Sequence, residues 1–266
     1  AGDVEHPALD VWARESRGGA AGESIRLSAT AIEDYLDCPL KYKFQHVLKI
    51  PTAPQAALTF GNLMHRSIRH YFELRRKSLP PFSEIEAFYL NCWKSTGFDD
   101  NYQEETYRKA GLDQLRAFVE RQNGIQVDCR NVQTERAFRM DFGDMSLEGR
   151  IDQITLLGRS GESAVELIDY KTGRPRTEKD AQKSLQLSVY ALAAKKALHL
   201  TPVRMTFYNL TNNEPVSTVR TAEDLEEAVR RAHEVAAQVR SGSFDAAPGF
   251  VCRWCGFHAI CAAHED

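Results

Sequence analysis

The sequence lacks any run of about 18 apolar residues, the length from which a membrane-spanning helix is recognised. Its amino terminus also lacks the basic stretch followed by an apolar one that marks a secretory signal. We therefore expect a cytoplasmic protein that has no membrane partner. No internal repeat occurs, and low complexity is confined to a glycine- and alanine-rich segment at residues 18–22.

An excess of positive charge is missing as well. The chain of 266 residues contains 34 Lys and Arg and 37 Asp and Glu, which gives a formal net charge of -3. Global attraction to nucleic acid is therefore excluded, and any DNA contact must come from a local basic groove. The 42% hydrophobic content is that of a globular protein with a sizeable core.

The spacing of apolar residues divides the chain into four parts. Residues 1–26 show no periodicity and begin without methionine, which predicts a flexible linker at the start of an excised carboxy-terminal piece of a longer chain. Residues 27–125 have helical periodicity, with Ser28 as a cap, Pro39 in the first turn of a second helix, and longer helices at about 59–77, 82–95 and 103–122. A core at 126–243 and a tail at 244–266 follow.

The core begins with three strands that we expect to be consecutive and antiparallel. Alternating apolar residues predict a hairpin of 132–142 and 145–151 around a turn at Gly143, then a turn at 158–161 and a third strand at 164–171. A helix at about 179–198 and strands at 203–210 and 216–220 follow. A last helix starts with a capping box of Thr221 and Asp224 and ends at Gly242.

A carboxylate and lysine constellation lies at the predicted strand ends. Asp152 is expected to end the second strand, and Asp169 and Lys171 end the third on one face, because side chains repeat every second residue. The Tyr170 side chain points away, but its carbonyl remains available as a ligand. Carboxylates with a nearby cation suit Mg2+ or Mn2+, which neutralise a phosphodiester and activate water. Taken alone, an Asp-x-Lys triplet is more often a solvated strand end with a surface ion pair.

Several motifs in order resemble the RecB-like nucleases of the PD-(D/E)XK superfamily, which include the nuclease domains of bacterial helicase-nucleases and the CRISPR-adaptation nucleases. The motifs are Gly149-Arg150-Ile151-Asp152, Ile168-Asp169-Tyr170-Lys171-Thr172-Gly173 and Gln186-Leu187-Ser188-Val189-Tyr190. The resemblance extends to Gly61-Asn62-Leu63-Met64-His65 and Cys38-Pro39-Leu40-Lys41-Tyr42, and covers about residues 27–264. It implies an α/β restriction-endonuclease-like core, a mixed sheet flanked by helices.

The same resemblance implies roles for individual residues. His65, Asp152, Asp169 and the Tyr170 carbonyl would bind Mg2+ or Mn2+, and Lys171 would orient or deprotonate the attacking water, so that Asp152, Asp169 and Lys171 are the expected catalytic residues.

Four further polar residues accompany these motifs. Gln186 and Tyr190 would position DNA and support the metal site, although a polar i, i+4 pair is also common in ordinary helices. Glu135 could support the site or be a solvated strand residue, and the role of Arg150 stays open.

Three cysteines crowd the tail in a pattern typical of metal ligands. Cys252 and Cys255 form a CxxC motif, and Cys261 follows. Three clustered thiolates need a fourth ligand, for which the resemblance selects Cys38. The one-plus-three arrangement resembles the [4Fe–4S] cluster of AddB-type nucleases and would tie the tail to the first helices, with structural zinc as the alternative occupant.

Together these observations predict a metal-dependent deoxyribonuclease that acts on single-stranded DNA or duplex ends. We expect the nuclease module of a helicase-nuclease in double-strand-break processing, with a helicase in the same chain or complex, by analogy with the family. Two alternatives remain: a stand-alone nuclease of the CRISPR-adaptation type, and a non-catalytic DNA-binding module that retains the fold.

Overall fold

The structure is a computed structural model that describes residues 24–125, 131–157 and 163–263. Within these ranges the amino-terminal elements are β1 (Ile25–Leu27), α1 (Ala29–Asp37), α2 (Pro39–Tyr42), α3 (Ala56–Arg75), α4 (Phe82–Asn91) and α5 (Asn101–Gly124). The following elements are β2 (Val132–Asp141), β3 (Met145–Leu156), β4 (Ala164–Lys171), α6 (Glu178–Lys183), α7 (Leu185–Lys196), β5 (Thr201–Asn209), β6 (Glu214–Thr218) and α8 (Ala222–Ser241). A π-helical turn, Lys43–Val47, follows α2, and two 3-10 turns lie at Phe250–Trp254 and His258–Ile260.

The chain forms two compact units, each built from separate stretches of sequence. The first comprises Ala1–Thr52, Met140–Glu148 and Glu226–Asp266, and the second comprises Ala53–Arg139 and Gly149–Leu225. Strands β2 and β3 contribute residues to both units.

The strands of the described ranges form a mixed sheet in the order β1-β3-β4-β5-β6, and β2 pairs with β3. β1 is parallel to β3, β3 is antiparallel to β4, β4 is parallel to β5 across the α6 and α7 connection, and β5 is antiparallel to β6. Three residues connect β2 to β3, with the Phe142 N–H donating to the Met145 carbonyl. The prediction of a mixed sheet flanked by helices, with three consecutive antiparallel strands, is confirmed.

The core of the second unit is an aromatic cluster contributed by α3, α4, α5 and one face of the sheet. Tyr71, Tyr89 and Phe118 are fully buried there. Tyr170 of β4 and Tyr208 of β5 add their rings, at centroid distances of 5.8 and 5.6 Å from Phe118. Helical spacing and strand alternation therefore bring aromatic residues from distant parts of the chain into one cluster.

The expected ends of three helices are confirmed. The Ser28 hydroxyl accepts from the Ala31 N–H at 3.0 Å, and Pro39 occupies the first turn of α2. The side chains of Thr221 and Asp224 accept from each other's backbone N–H groups at the start of the last helix. Gly242, with φ of +75°, ends that helix in the left-handed conformation that glycine tolerates.

Several boundaries differ from the prediction. Asp152 does not end its strand, because β3 continues to Leu156. The predicted helix at 179–198 is two helices, since Ser184 has extended backbone angles and caps α7 by accepting from the Leu187 N–H. Residues 25 and 26, expected in the linker, belong to β1, which is too short to show periodicity. Other ends shift by up to four residues. The turn at 158–161 lies outside the described residues, as do positions 1–23 of the linker.

Candidate active site

Three of the four predicted metal ligands contact one another in the second unit. The His65 Nε2 atom of α3 lies 3.0 Å from the Tyr170 carbonyl oxygen, and its Nδ1 atom lies 3.4 Å from Asp152 Oδ2. The same Asp152 oxygen accepts a hydrogen bond of 2.9 Å from the Tyr170 backbone N–H. An imidazole, a carboxylate and a backbone carbonyl therefore converge where α3, β3 and β4 meet.

The alternation of β4 explains this arrangement. The Tyr170 ring enters the aromatic core, and its hydroxyl donates to Gln153 Oε1 at 2.6 Å. With the ring held on that side, Asp169 and Lys171 project to the opposite face of the sheet. Tyr170 thereby fixes the backbone of the motif whose neighbouring side chains carry the charges.

Glu135 joins two of these ligands. Among the described residues, His65, Glu135 and Asp152 are the only group of three or more His, Cys, Asp or Glu side chains whose ligand atoms all lie within 4.8 Å of one another. Glu135 has φ of +55° within β2, and its Oε2 atom lies 3.6 Å from Arg150 Nη1. Asp169, a ligand that the resemblance implies, is not part of this group.

Asp169 and Lys171 instead belong to a closed polar ring with two residues of α7. Lys171 Nζ lies 2.7 Å from Asp169 Oδ2 and donates to Gln186 Oε1 at 2.9 Å. Gln186 Nε2 donates to the Tyr190 hydroxyl at 3.2 Å, and that hydroxyl donates to Asp169 Oδ1 at 3.3 Å. The Lys171 ammonium also lies 4.9 Å from the centre of the Phe207 ring. Gln186 and Tyr190, which are four residues apart on α7, thus bind the two charged side chains of the motif, Lys171 and Asp169.

The electrostatics of the site reflect three carboxylates that lie close to one another. Burial, followed by the charge of Asp152, raises the pKa of Asp169, which is 2% exposed, although Lys171 opposes the shift. Burial and Asp152 also raise the pKa of Glu135. Burial alone would lower the pKa of His65, but Asp152 outweighs it and raises that pKa to about 9. Carboxylate and carbonyl oxygens beside an imidazole fit a hard divalent cation such as Mg2+ or Mn2+.

The profile of the PD-(D/E)XK nuclease superfamily matches residues 26–262. The chain belongs to the PD-(D/E)XK nuclease superfamily. Nucleases of this superfamily use divalent metals and act on DNA, so DNA is the substrate class and a divalent metal the cofactor class of this nuclease. A comparison with curated protein sequences finds no match.

Solved structures resemble this nuclease at low sequence identity. A candidate exonuclease from Eubacterium rectale has a TM-score of 0.50 and 11% identity, over 96% of this chain and 92% of that one. A protein named SSO0001 has a TM-score of 0.44 and 13% identity, over 100% and 99% of the two chains. The protein VC1899 from Vibrio cholerae has a TM-score of 0.24 and 10% identity, over 79% and 54%. The likeness to the Eubacterium rectale protein concerns the fold alone.

Sequence reasoning left Glu135 undecided because its backbone conformation is not visible in the sequence. In the folded chain, Arg136 and Ala137 are both exposed, whereas Phe138 and Met140 are buried. Because these exposures are known only from the structure, no signal in the sequence could have identified Glu135.

A steric constraint explains why the Gly-Arg-Ile-Asp motif begins with glycine. A Cβ atom at Gly149 would lie 2.8 Å from the Phe138 ring, closer than side-chain carbons approach. That ring packs edge-on against Tyr190, with centroids 6.3 Å apart. Gly149 therefore lets Phe138 lie beside the tyrosine that donates to Asp169.

The predicted cluster ligands lie together in the first unit. Cys38, Cys252, Cys255 and Cys261 line one cavity, together with apolar side chains that include Phe44 and Phe257. Backbone N–H groups of Ala247 and Gly249 donate to the sulfurs of Cys38 and Cys252 at 3.5 and 3.4 Å. All five cysteines of the described ranges are free. None of the described helices has the length and apolar character that a membrane span requires.

Proposed function

We propose that this chain is a Mg2+- or Mn2+-dependent deoxyribonuclease that hydrolyses phosphodiester bonds in single-stranded DNA or at duplex ends. The proposal rests on the direct contacts that Asp152 and His65 make with the backbone of Tyr170 and with each other. Lys171 directly follows Tyr170 in the chain. Asp169 would complete the ligand set, as the resemblance to RecB-like nucleases implies. A divalent cation held by these groups would neutralise charge on the scissile phosphate and acidify a bound water.

Lys171 is suited to act on the attacking water or on the phosphate. Its side chain is 22% exposed, so the ammonium can reach a substrate, while Asp169 and Gln186 restrict its position. A cation positioned in this way can orient a water, share its proton and offset phosphate charge. Gln186 and Tyr190 hold the motif in place, and a direct contact of these residues with DNA remains part of the proposal.

The cysteine cavity is proposed to hold a [4Fe–4S] cluster that has a structural role. The four cysteines line one cavity with apolar side chains, and backbone N–H groups donate to the sulfurs of Cys38 and Cys252. Four thiolates with hydrogen-bond donors to sulfur in an apolar surrounding suit an iron–sulfur cluster, and the one-plus-three arrangement that resembles AddB-type nucleases favours it over structural zinc.

The biological setting is proposed by analogy with the RecB-like family. The net charge of -3 gives this nuclease little global attraction to DNA, which suits a module whose partner supplies the main grip. We propose a helicase in the same chain or complex and a role in processing double-strand breaks.

The test is a Mn2+-dependent nuclease assay on end-labelled single- and double-stranded DNA. Lys171→Ala should lower the rate by at least about 100-fold, because general acid–base groups contribute about 10²–10⁴-fold. Asp169→Ala should also lower the rate strongly, because it removes a proposed ligand of the catalytic cation. Lys195→Ala, at an exposed position near the end of α7, serves as the control and should cut at the wild-type rate. Equal rates in all proteins would refute the mechanism. DNA binding without cleavage by the wild type would identify a non-catalytic binding module.

Metal analysis tests the cluster separately. Anaerobically purified protein should contain iron and acid-labile sulfide in equal amounts and absorb visible light, and Cys255→Ser should lose both. A colourless protein with one zinc per chain would refute the iron–sulfur proposal and leave the nuclease proposal intact.

A further inference from the structure

A pocket of about 200 Å3 opens between the first half of α3 and the segment that connects α4 to α5. Its floor is apolar, because Phe60 and Leu63 are buried and Trp93 is half-buried. Its rim is exposed and carries Arg66 and Lys94. No described residue that lines the pocket has a carboxylate, so the pocket is locally basic in a chain whose formal net charge is -3.

The two cations of the rim have few partners of their own. Among the described residues, neither Arg66 nor Lys94 forms an ion pair with a carboxylate. The Arg66 guanidinium donates to the Cys92 sulfur at 3.4 Å and lies 5.9 Å from the centre of the Phe88 ring. A thiol is a weak acceptor, so most N–H groups of Arg66 are left for a ligand. Cations with available donors are the usual contacts of phosphate oxygens.

Hydrogen bonds fix the walls of the pocket. The Thr59 hydroxyl donates to the Thr96 carbonyl at 2.9 Å, which joins the first turn of α3 to the connecting segment. Glu104 Oε1 accepts from the Trp93 indole N–H at 2.7 Å and from the Ser95 hydroxyl at 2.6 Å. Glu104 thus holds the connecting segment in place. The pocket is therefore preformed, which reduces the entropy lost when a ligand binds.

The pocket borders the candidate active site along α3. Asn62, at its rim, precedes His65 by three residues and so lies on the same face of the helix. Arg66 directly follows His65. A Cβ atom at Gly61 would lie 3.4 Å from the Thr172 hydroxyl oxygen, so this turn of α3 packs against the residues that follow β4. One helical turn rises about 5.4 Å, so the pocket begins about one turn from His65.

We propose that this pocket binds one unpaired nucleotide of the DNA strand, next to the bond that is cleaved. The base lies against the apolar floor, and Arg66 and Lys94 bind the adjoining phosphates. The inference rests on the proposed nuclease and adds the form of its substrate, because a base reaches a buried floor only when it is unpaired and unstacked. A volume of about 200 Å3 equals roughly seven water molecules at about 30 Å3 each, which is space for one base and not for a base pair.

The first experiment measures binding of a fluorescently labelled single-stranded oligonucleotide by anisotropy, in EDTA and over a series of salt concentrations. Arg66→Ala and Lys94→Ala should each weaken binding and reduce the slope of log affinity against log salt by about 0.7, the value for one phosphate contact on a single strand. Lys109→Ala, at an exposed position of α5 outside the pocket lining, is the matched control and should match the wild type in both quantities. All three side chains are exposed, so the melting temperatures should also agree.

The second experiment tests for the base. In Mn2+, an end-labelled single strand with one abasic site should be cut about fivefold or more slowly at one fixed distance from the missing base, the effect of losing one stacked base. Reduced salt slopes with an unchanged cleavage pattern would show that only phosphates bind here and would overturn the nucleotide pocket.

The two proposals fail in different ways. Wild-type affinity and salt slope in Arg66→Ala and Lys94→Ala, in a protein that cleaves DNA, would overturn this inference alone. A wild type that neither binds nor cleaves DNA would overturn the proposed function with it.

Discussion

Replacing Tyr190 with phenylalanine tests whether the polar ring around Lys171 and Asp169 supports the site. Tyr190→Phe removes only the hydroxyl that donates to Asp169 Oδ1 at 3.3 Å and accepts from Gln186 Nε2 at 3.2 Å. Burial, followed by the charges of Asp169 and Asp152, holds the pKa of Tyr190 well above its usual value. The hydroxyl therefore keeps its proton and acts as a donor to the buried carboxylate.

The geometry sets the expected magnitude. A buried polar group left without its partner costs about 1–3 kcal/mol. The bond that the hydroxyl donates, 3.3 Å, is longer than the usual length of about 2.7–2.8 Å for a hydroxyl donor, and the bond from the Gln186 amide, 3.2 Å, is longer than the usual length of about 2.9–3.0 Å for an N–H donor. Asp169 also keeps the Lys171 ion pair at 2.7 Å. We therefore expect a loss of about 1–2 kcal/mol, which for a chain of this size is roughly 2–8 °C in melting temperature.

Two measurements on one preparation check this prediction. Tyr190→Phe should show the lower melting temperature and a Mn2+-dependent cleavage rate reduced about 10–100-fold, as for other residues that support metal-site groups. Tyr102→Phe is the matched control, because Tyr102 is 83% exposed. A Tyr190→Phe protein with the stability and rate of the control would show that the ring does not support the site.

Two more predictions follow from the structure. Gly149→Ala places a methyl group 2.8 Å from the Phe138 ring, so the variant should lose about 1–3 kcal/mol in its free energy of unfolding and cleave DNA more slowly. Denaturant unfolding and the nuclease assay measure the two effects, and unchanged stability would contradict the packing argument. For Asp34, burial alone would raise the pKa, but His46 at 2.8 Å and Lys41 at 2.7 Å outweigh it, so the pKa is lowered. Asp34→Asn should therefore lose about 1–3 kcal/mol above pH 4, and the difference from the wild type should vanish as the pH falls through the lowered pKa; a difference independent of pH would refute it.

Local sequence signals identified most of the fold. Caps such as Ser28, the glycine turn before β3 and the alternation of β4 depend on a few neighbouring residues, and each is present in the structure. The extent of β3 was not predictable in the same way. Its last residues pair with β4, and such pairing is decided by tertiary contacts that alternation alone does not report. The break at Ser184 depends likewise on a capping bond that competes with a continuous helix.

The residues of the candidate site also differ in how far the sequence predicts their positions. Asp169 and Lys171 share a strand face, so their proximity follows from the sequence and from strand geometry alone. His65 comes from a helix about a hundred residues upstream, and only the resemblance to a family linked it to the strand residues. Glu135 could not be assigned, because its role depends on a left-handed backbone that no local pattern specifies.

The aromatic core gives a physical reason why this charged arrangement is stable. Three carboxylates close to one another repel, and Glu135 adds an uncommon backbone conformation, so the site by itself disfavours folding. Tyr170 opposes this, because its buried ring packs 5.8 Å from Phe118 while its backbone N–H and carbonyl contact Asp152 and His65. Tyr170 thus joins the aromatic core of the second unit to the charged site. Since its ring is held by the buried aromatic cluster, we expect the backbone groups at the site to stay in place when the carboxylates lose or gain a cation.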